Sequence, residues 1–75
     1  MNKLERRYDK EIKSFGQRLK GIREESRLSQ LDLEIKSGIN RTEISRIENG
    51  LKNIEFFTLV KLAEALEVEI NKFFV

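Results

Sequence analysis

Cysteine and histidine are both missing from this chain of 75 residues, and so are proline and tryptophan. Without cysteine there can be no disulfide framework and no thiolate nucleophile. Without cysteine or histidine the usual zinc-type ligand sets are excluded too, which suits a reducing cytoplasm. The lack of proline leaves chain punctuation to four glycines and to helix-capping residues. No apolar run approaches the ~20 residues needed to span a bilayer. The opening MNKLERRYDK is charged throughout and has no apolar signal-peptide segment. The carboxylates Glu24, Glu25, Glu43, Glu64 and Glu67 are spread over separate helix surfaces, where acid-base or metal chemistry would need them to converge. The expectation is a soluble cytoplasmic protein that is not an enzyme and carries neither metal nor cofactor.

What is present is charge, unevenly placed. Residues 1–30 hold nine Lys/Arg against five Asp/Glu, residues 31–54 hold four of each, and residues 55–75 hold two against four. A basic front and an acidic tail fit a molecule that sets one end on phosphates, although a solvated helix face has the same composition. At this length a single core is only marginally stabilising, so a second copy or a partner would help.

Two complete sets of helix start and stop signals lie between Ser29 and Gly50. Ser29 is an N-cap with Asp32 at the capping-box position, and Leu28 and Leu33 form a hydrophobic staple. Asn40, Glu43, Ile39 and Ile44 repeat the device. Gly38 and Gly50 stand just past the two helices, where a left-handed residue without a Cβ is easily accommodated. Only Gly38, Ile39 and Asn40 separate the helices, so a helical hairpin or a helix-turn-helix follows.

Around this unit, Leu4, Tyr8, Ile12, Phe15, Leu19 and Ile22 recur at helical spacing and predict one long first helix. Residues 1–14 read as its extension and 15–75 as the domain. Arg27 is the residue best placed to take a left-handed conformation before the second helix. That helix, about Gln30 to Ser37, faces Leu33 inward and leaves at least one of Leu31 and Ile35 partly exposed. The third helix, about Arg41 to Asn49, buries Ile44 and Ile47 and turns Arg41, Thr42, Ser45, Arg46 and Asn49 outward. A fourth begins between Asn53 and Glu55, ends near Glu67 and puts Phe56, Leu59, Leu62, Ala63 and Leu66 on one stripe, with Phe57 off it. Ile70, Phe73, Phe74 and Val75 suit a closing turn capped by Glu69 or Asn71.

Taken together, Ser29-Gln30, Leu33, Lys36-Ser37-Gly38-Ile39, Arg41, Ile44-Ser45-Arg46-Ile47-Glu48-Asn49-Gly50 and Thr58-Leu59, Lys61-Leu62-Ala63, Ala65-Leu66 closely resemble the lambda-repressor-like (Cro/Xre) helix-turn-helix family, over about Phe15 to Phe74. The resemblance implies an all-α, compact five-helix DNA-binding domain, here with an extended first helix. It implies that helix three enters the major groove, with Arg41, Thr42 and Arg46 reading bases and Gln30, Asn40, Ser45, Asn49 and Lys52 on the DNA backbone. It also implies that Arg23 and Glu48 form an architectural pair. Glu34 departs from the pattern, standing where a small alanine is usual, so either the crossing of helices two and three widens or Glu34 swings to the surface. Arg27 and Glu67 stand where glycine usually ends a helix. Leu31 and Phe57 stand where polar residues are common.

The expected function is a sequence-specific transcription regulator, a repressor in type, that binds double-stranded DNA at a palindromic operator as a homodimer. With no ligand-sensing domain in these 75 residues, its control would come from abundance, dimerisation or a protein partner. The alternative is an antitoxin-like or coactivator-like protein-interaction module on the same fold, favoured by Leu31, Phe57 and the stripe at Leu4, Tyr8 and Ile12. No membrane association is expected.

Overall fold

The Asn2 side chain accepts the Glu5 amide at 2.8 Å and the Glu5 carboxylate accepts the Asn2 amide at 3.0 Å; this reciprocal cap starts α1, Lys3–Glu25. The computed structural model describes residues 1–75. After α1 come α2 (Gln30–Ser37), α3 (Arg41–Glu48), α4 (Phe56–Leu66) and a 3-10 helix (Ile70–Phe74), with no strand. The fold is therefore all-α, but the fifth helix is a single 3-10 turn, closed by Lys72 donating to the Glu69 carbonyl at 3.0 Å. Segments this short favour the tighter i→i+3 bond.

The helix ends follow the local chemistry. Arg27 takes φ +60°, and the Leu28 amide reaches back to the Arg23 carbonyl at 3.1 Å, closing α1. Ser29 Oγ accepts the Asp32 amide at 3.0 Å while Asp32 accepts the Ser29 amide at 2.8 Å, a complete capping box. Hydrogen bonding from Ser29 to the carboxylate, by its backbone amide first and its side chain second, holds the Asp32 carboxyl below its ordinary pKa. Gly38 ends α2 at φ +77° and Gly50 lies past α3 at φ +70°. The second capping box is only half made. Asn40 Oδ1 accepts the Glu43 amide at 2.8 Å, but the Glu43 carboxylate does not return the bond and lies 3.9 Å from Lys52 Nζ instead. Helix α3 stops at Glu48, one residue short of the expected end, with Asn49 as its cap. Glu67, at φ +56°, ends α4.

Four side chains with no exposed surface mark the core, one from each α-helix: Leu19, Leu33, Ile44 and Leu62. Each such burial stabilises by roughly 1.5–3 kcal/mol. Ile39 in the turn, Ile47, Leu66 and Phe73 complete the cluster, and the Phe15 and Phe73 rings meet at 5.4 Å between centroids. Phe56 does not join it; 69% exposed, it is no part of the buried stripe. It stands in the first turn of α4, two turns ahead of buried Ala63. Ile54, from the preceding loop, packs against the cluster there. Phe57, Leu31 and Ile35 are all exposed.

Helix α1 sets the shape. The molecule measures 38 × 24 × 21 Å, and 23 helical residues account for about 35 Å. The helix runs unbroken through residue 14, with Ile12 and Phe15 half-buried on either side of it. Two residues on, Gly16 lies against the end of α3, where an added Cβ would run into the Ile47 and Glu48 carbonyl oxygens. Glycine is required for that approach. At Gly21 an added Cβ would meet nothing within 4 Å.

Candidate nucleic-acid interface

The two ends of α3 have different surroundings. At its C-terminal end Glu48 is 6% exposed and Arg23 of α1 is 7% exposed. Arg23 Nε donates to Glu48 Oε2 at 2.6 Å and Nη2 to Oε1 at 3.0 Å, a two-pronged, charge-assisted pair. The third prong, Nη1, donates to the Leu28 carbonyl at 2.8 Å. The hydrogen bond to Glu48 raises the Arg23 pKa above its ordinary value, and the charges of Glu48 and Glu24 add to it, against the opposing effect of desolvation. Gln30 Nε2, from α2, donates to the same Glu48 oxygen at 3.1 Å. Three helices thus meet on one carboxylate, and no buried side-chain polar atom in the molecule lacks a partner.

Gln30 therefore turns its side chain inward, toward Glu48, which spacing alone could not reveal because the contact depends on how α2 crosses α3. What it leaves outward is its backbone amide, one of the first-turn donors of α2 that no intrahelical carbonyl can reach.

Along the outer face of α3, from its leading end at Arg41, the surface is open. Arg41, Thr42, Arg46 and Asn49 are exposed and Ser45 is half-buried, all opposite Ile44 and Ile47. They cover a ridge of about 12 Å. No carboxylate pairs with the Arg41 guanidinium. Arg46 Nη2 reaches the Leu51 carbonyl at 3.5 Å, a long contact that leaves its other donors free. Asn49 Nδ2 is donated to the Ser45 carbonyl at 2.9 Å. Lys52 is half-buried beside Glu43, and at this separation the attraction contributes no more than ~1 kcal/mol. Asn40 Oδ1 is used by its cap bond.

One contact in this region has no signal in the sequence. Glu34 of α2 is half-buried and turns toward the surface, where its Oε1 accepts the backbone amide of Arg41 at 2.7 Å. The residue that departs from the expected alanine thus caps the start of α3 from across the turn. Capping rules look three residues along the same helix, and this pair is seven apart on two helices.

The arrangement is a convex, cationic and amide-rich ridge. No three His, Cys, Asp or Glu residues lie together in a way that could hold a metal ion, and no helix is long and apolar enough to cross a membrane.

Comparison with known proteins gives a consistent result. A helix-turn-helix family model matches residues 19–73. The HTH-type transcriptional repressor RghR of Bacillus subtilis (strain 168) is 43% identical over 58 residues, which are 76% of this chain and 43% of that protein. The match therefore spans less than half the length of that repressor. The control protein C.MunI of a Mycoplasma species is 34% identical over 61 residues, covering 80% of this chain and 82% of its own. Among solved structures, the restriction-modification controller protein C.AhdI of Aeromonas hydrophila superimposes with a TM-score of 0.81 at 35% identity, over 83% of this chain and 94% of that one.

Proposed function

The chain belongs to the helix-turn-helix family, and from that premise we propose that it is a cytoplasmic, sequence-specific DNA-binding transcriptional regulator of the repressor or controller type. In this reading α3 enters the major groove. Arg41 and Thr42 meet base edges at its leading end and Arg46 follows one turn later, since an arginine can grip guanine O6 and N7 with two parallel bonds. The first-turn amides of α2, with Asn40, Ser45, Asn49 and Lys52, take phosphates and set the register. Two copies bind a palindromic operator with half-sites about one helical turn, ~34 Å, apart. The exposed Phe56, Phe57, Phe74 and Val75 support association with a second copy.

The observation that carries the reading is the contrast along α3, whose far end is held by the Arg23–Glu48 pair while its leading arginine is exposed and unpaired. The test is to select bound duplexes from a random pool and then titrate salt in a gel shift. The expected outcome is a two-fold symmetric site whose affinity falls ~10³–10⁵-fold between about 50 and 200 mM salt, as for a protein making about six to ten phosphate contacts. Equal binding to every sequence would overturn the reading.

A second reading is an antitoxin-like or coactivator-like adaptor, in which a protein partner covers the apolar side chains of α2 and α4. The exposure of Leu31, Ile35 and Phe57 favours it. It predicts no enrichment from the pool.

A further inference from the structure

The two helices of the motif are joined by a turn of three residues, and both sides of that turn are tied to Glu34. Its backbone carbonyl accepts the Gly38 amide at 2.8 Å, ending α2, and its side-chain Oε1 accepts the Arg41 amide at 2.7 Å, beginning α3. We propose that Glu34 is a positioning residue for base discrimination, in which the carboxylate fixes the leading end of α3 relative to α2 and thereby sets where Arg41 meets a base. The proposal rests on the DNA-reading function given above.

Two physical arguments support it. A carboxylate on a first-turn amide forms a charge-assisted bond aligned with the positive end of the helix dipole, and this restrains the residue whose amide it takes. Asn40 already holds the Glu43 amide, so Glu34 adds restraint two residues nearer the tip, at the arginine itself. The same carboxylate also repels phosphate. A DNA backbone oxygen is the natural occupant of a helix N-terminus, and with Glu34 in place that amide is filled and the charge beside it is negative. The approaching duplex then meets the leading tip of α3 through the Arg41 side chain and not through the Arg41 amide.

Because Arg41 contributes its backbone to this bond and its side chain to the base, Glu34 acts through Arg41, and conservative variants can separate reach from charge. Glu34→Gln keeps an acceptor oxygen at the same distance and removes the charge. Glu34→Asp keeps the charge and is one methylene too short. The measurement is the affinity ratio between the selected site and the same site with the base pair under Arg41 changed, together with thermal melting to show that each variant is folded. Glu34→Asp should lose about tenfold of the ratio, and Glu34→Gln, which keeps the reach but gives up the charge assistance, should lose only about threefold. In an Arg41→Ala background neither change should alter the ratio further. The proposal is overturned if Glu34→Asp keeps the full ratio, if Glu34→Gln loses as much as Glu34→Asp, or if the losses add to that of Arg41→Ala. A wild-type chain that selects no site would instead refute the DNA-reading function itself, before any variant is made.

Discussion

The two ends of α3 differ in nearly every physical respect although the helix is only eight residues long. At one end the Glu48 carboxylate is buried, charged and saturated with hydrogen bonds from α1 and α2. The Arg41 end is exposed, and its side chain is unpaired. A helix this short has little stability of its own, so its position must be imposed from outside. Fixing one end deep in the protein lets the other present donors without collapsing onto its neighbours. In the proposed function, stability and recognition fall to opposite ends of one element, and substitutions at the two ends should fail in different ways.

The largest effect is expected from Glu48→Ala. It strands the Arg23 guanidinium, and ~3–5 kcal/mol of stability should be lost, a large share of the total for a domain of this size. A urea midpoint measures it, and any loss of DNA binding should track the unfolded fraction. Arg41→Ala should do the converse. Its melting should stay within ~0.5 kcal/mol of wild type, while discrimination at one base pair drops by ~1–3 kcal/mol. If melting fell with binding, the separation of the two ends would be lost. Glycine sharpens the same contrast on α1. Gly16→Ala drives a methyl into the carbonyls at the anchored end of α3 and should destabilise by ~1–3 kcal/mol. Gly21→Ala, facing open space, should stabilise by roughly 0.5–1 kcal/mol in the same denaturation assay. The smallest effect is at Asp32. Its pKa in the folded chain lies below the ordinary 3.8, so the stability it supplies is complete above that pH and is lost as pH falls through the lowered value. Asp32→Asn should therefore soften the acid limb of the stability-pH curve and leave the ends of α3 unaffected.

The parts of this molecule that could be read in advance are those governed by neighbours along the chain. Ser29, Gly38, Asn40 and Gly50 mark helix boundaries because caps act over a single turn, and the outward set on α3 follows from its 3.6-residue period. Phe56 fails the same periodic reading because its stripe position says nothing about whether another element reaches that far to cover it. The inward turn of Gln30 and the reach of Glu34 to Arg41 depend on how two helices cross, which no one-dimensional spacing encodes. The half-formed cap at Glu43 belongs to the same class, since its carboxylate lies near Lys52, which the chain brings in from beyond Gly50. The family resemblance supplied the groove-facing role proposed for α3.

The length of α1 has a consequence for how this molecule breathes. Almost all of residues 3–11 are solvent-exposed, held by their own ladder, the Asn2–Glu5 cap and surface ion pairs, whereas Leu19, Ile22 and Arg23 are buried. Amide hydrogens should therefore exchange along a gradient, fast near Lys3 by local fraying and slow near Ile22, where opening requires the global transition. The amides of Ile47 and Glu48, in a helix about a third as long, should outlast those of the first turns of α1. In this chain, protection follows what a turn is packed against, and the number of turns in the helix matters little.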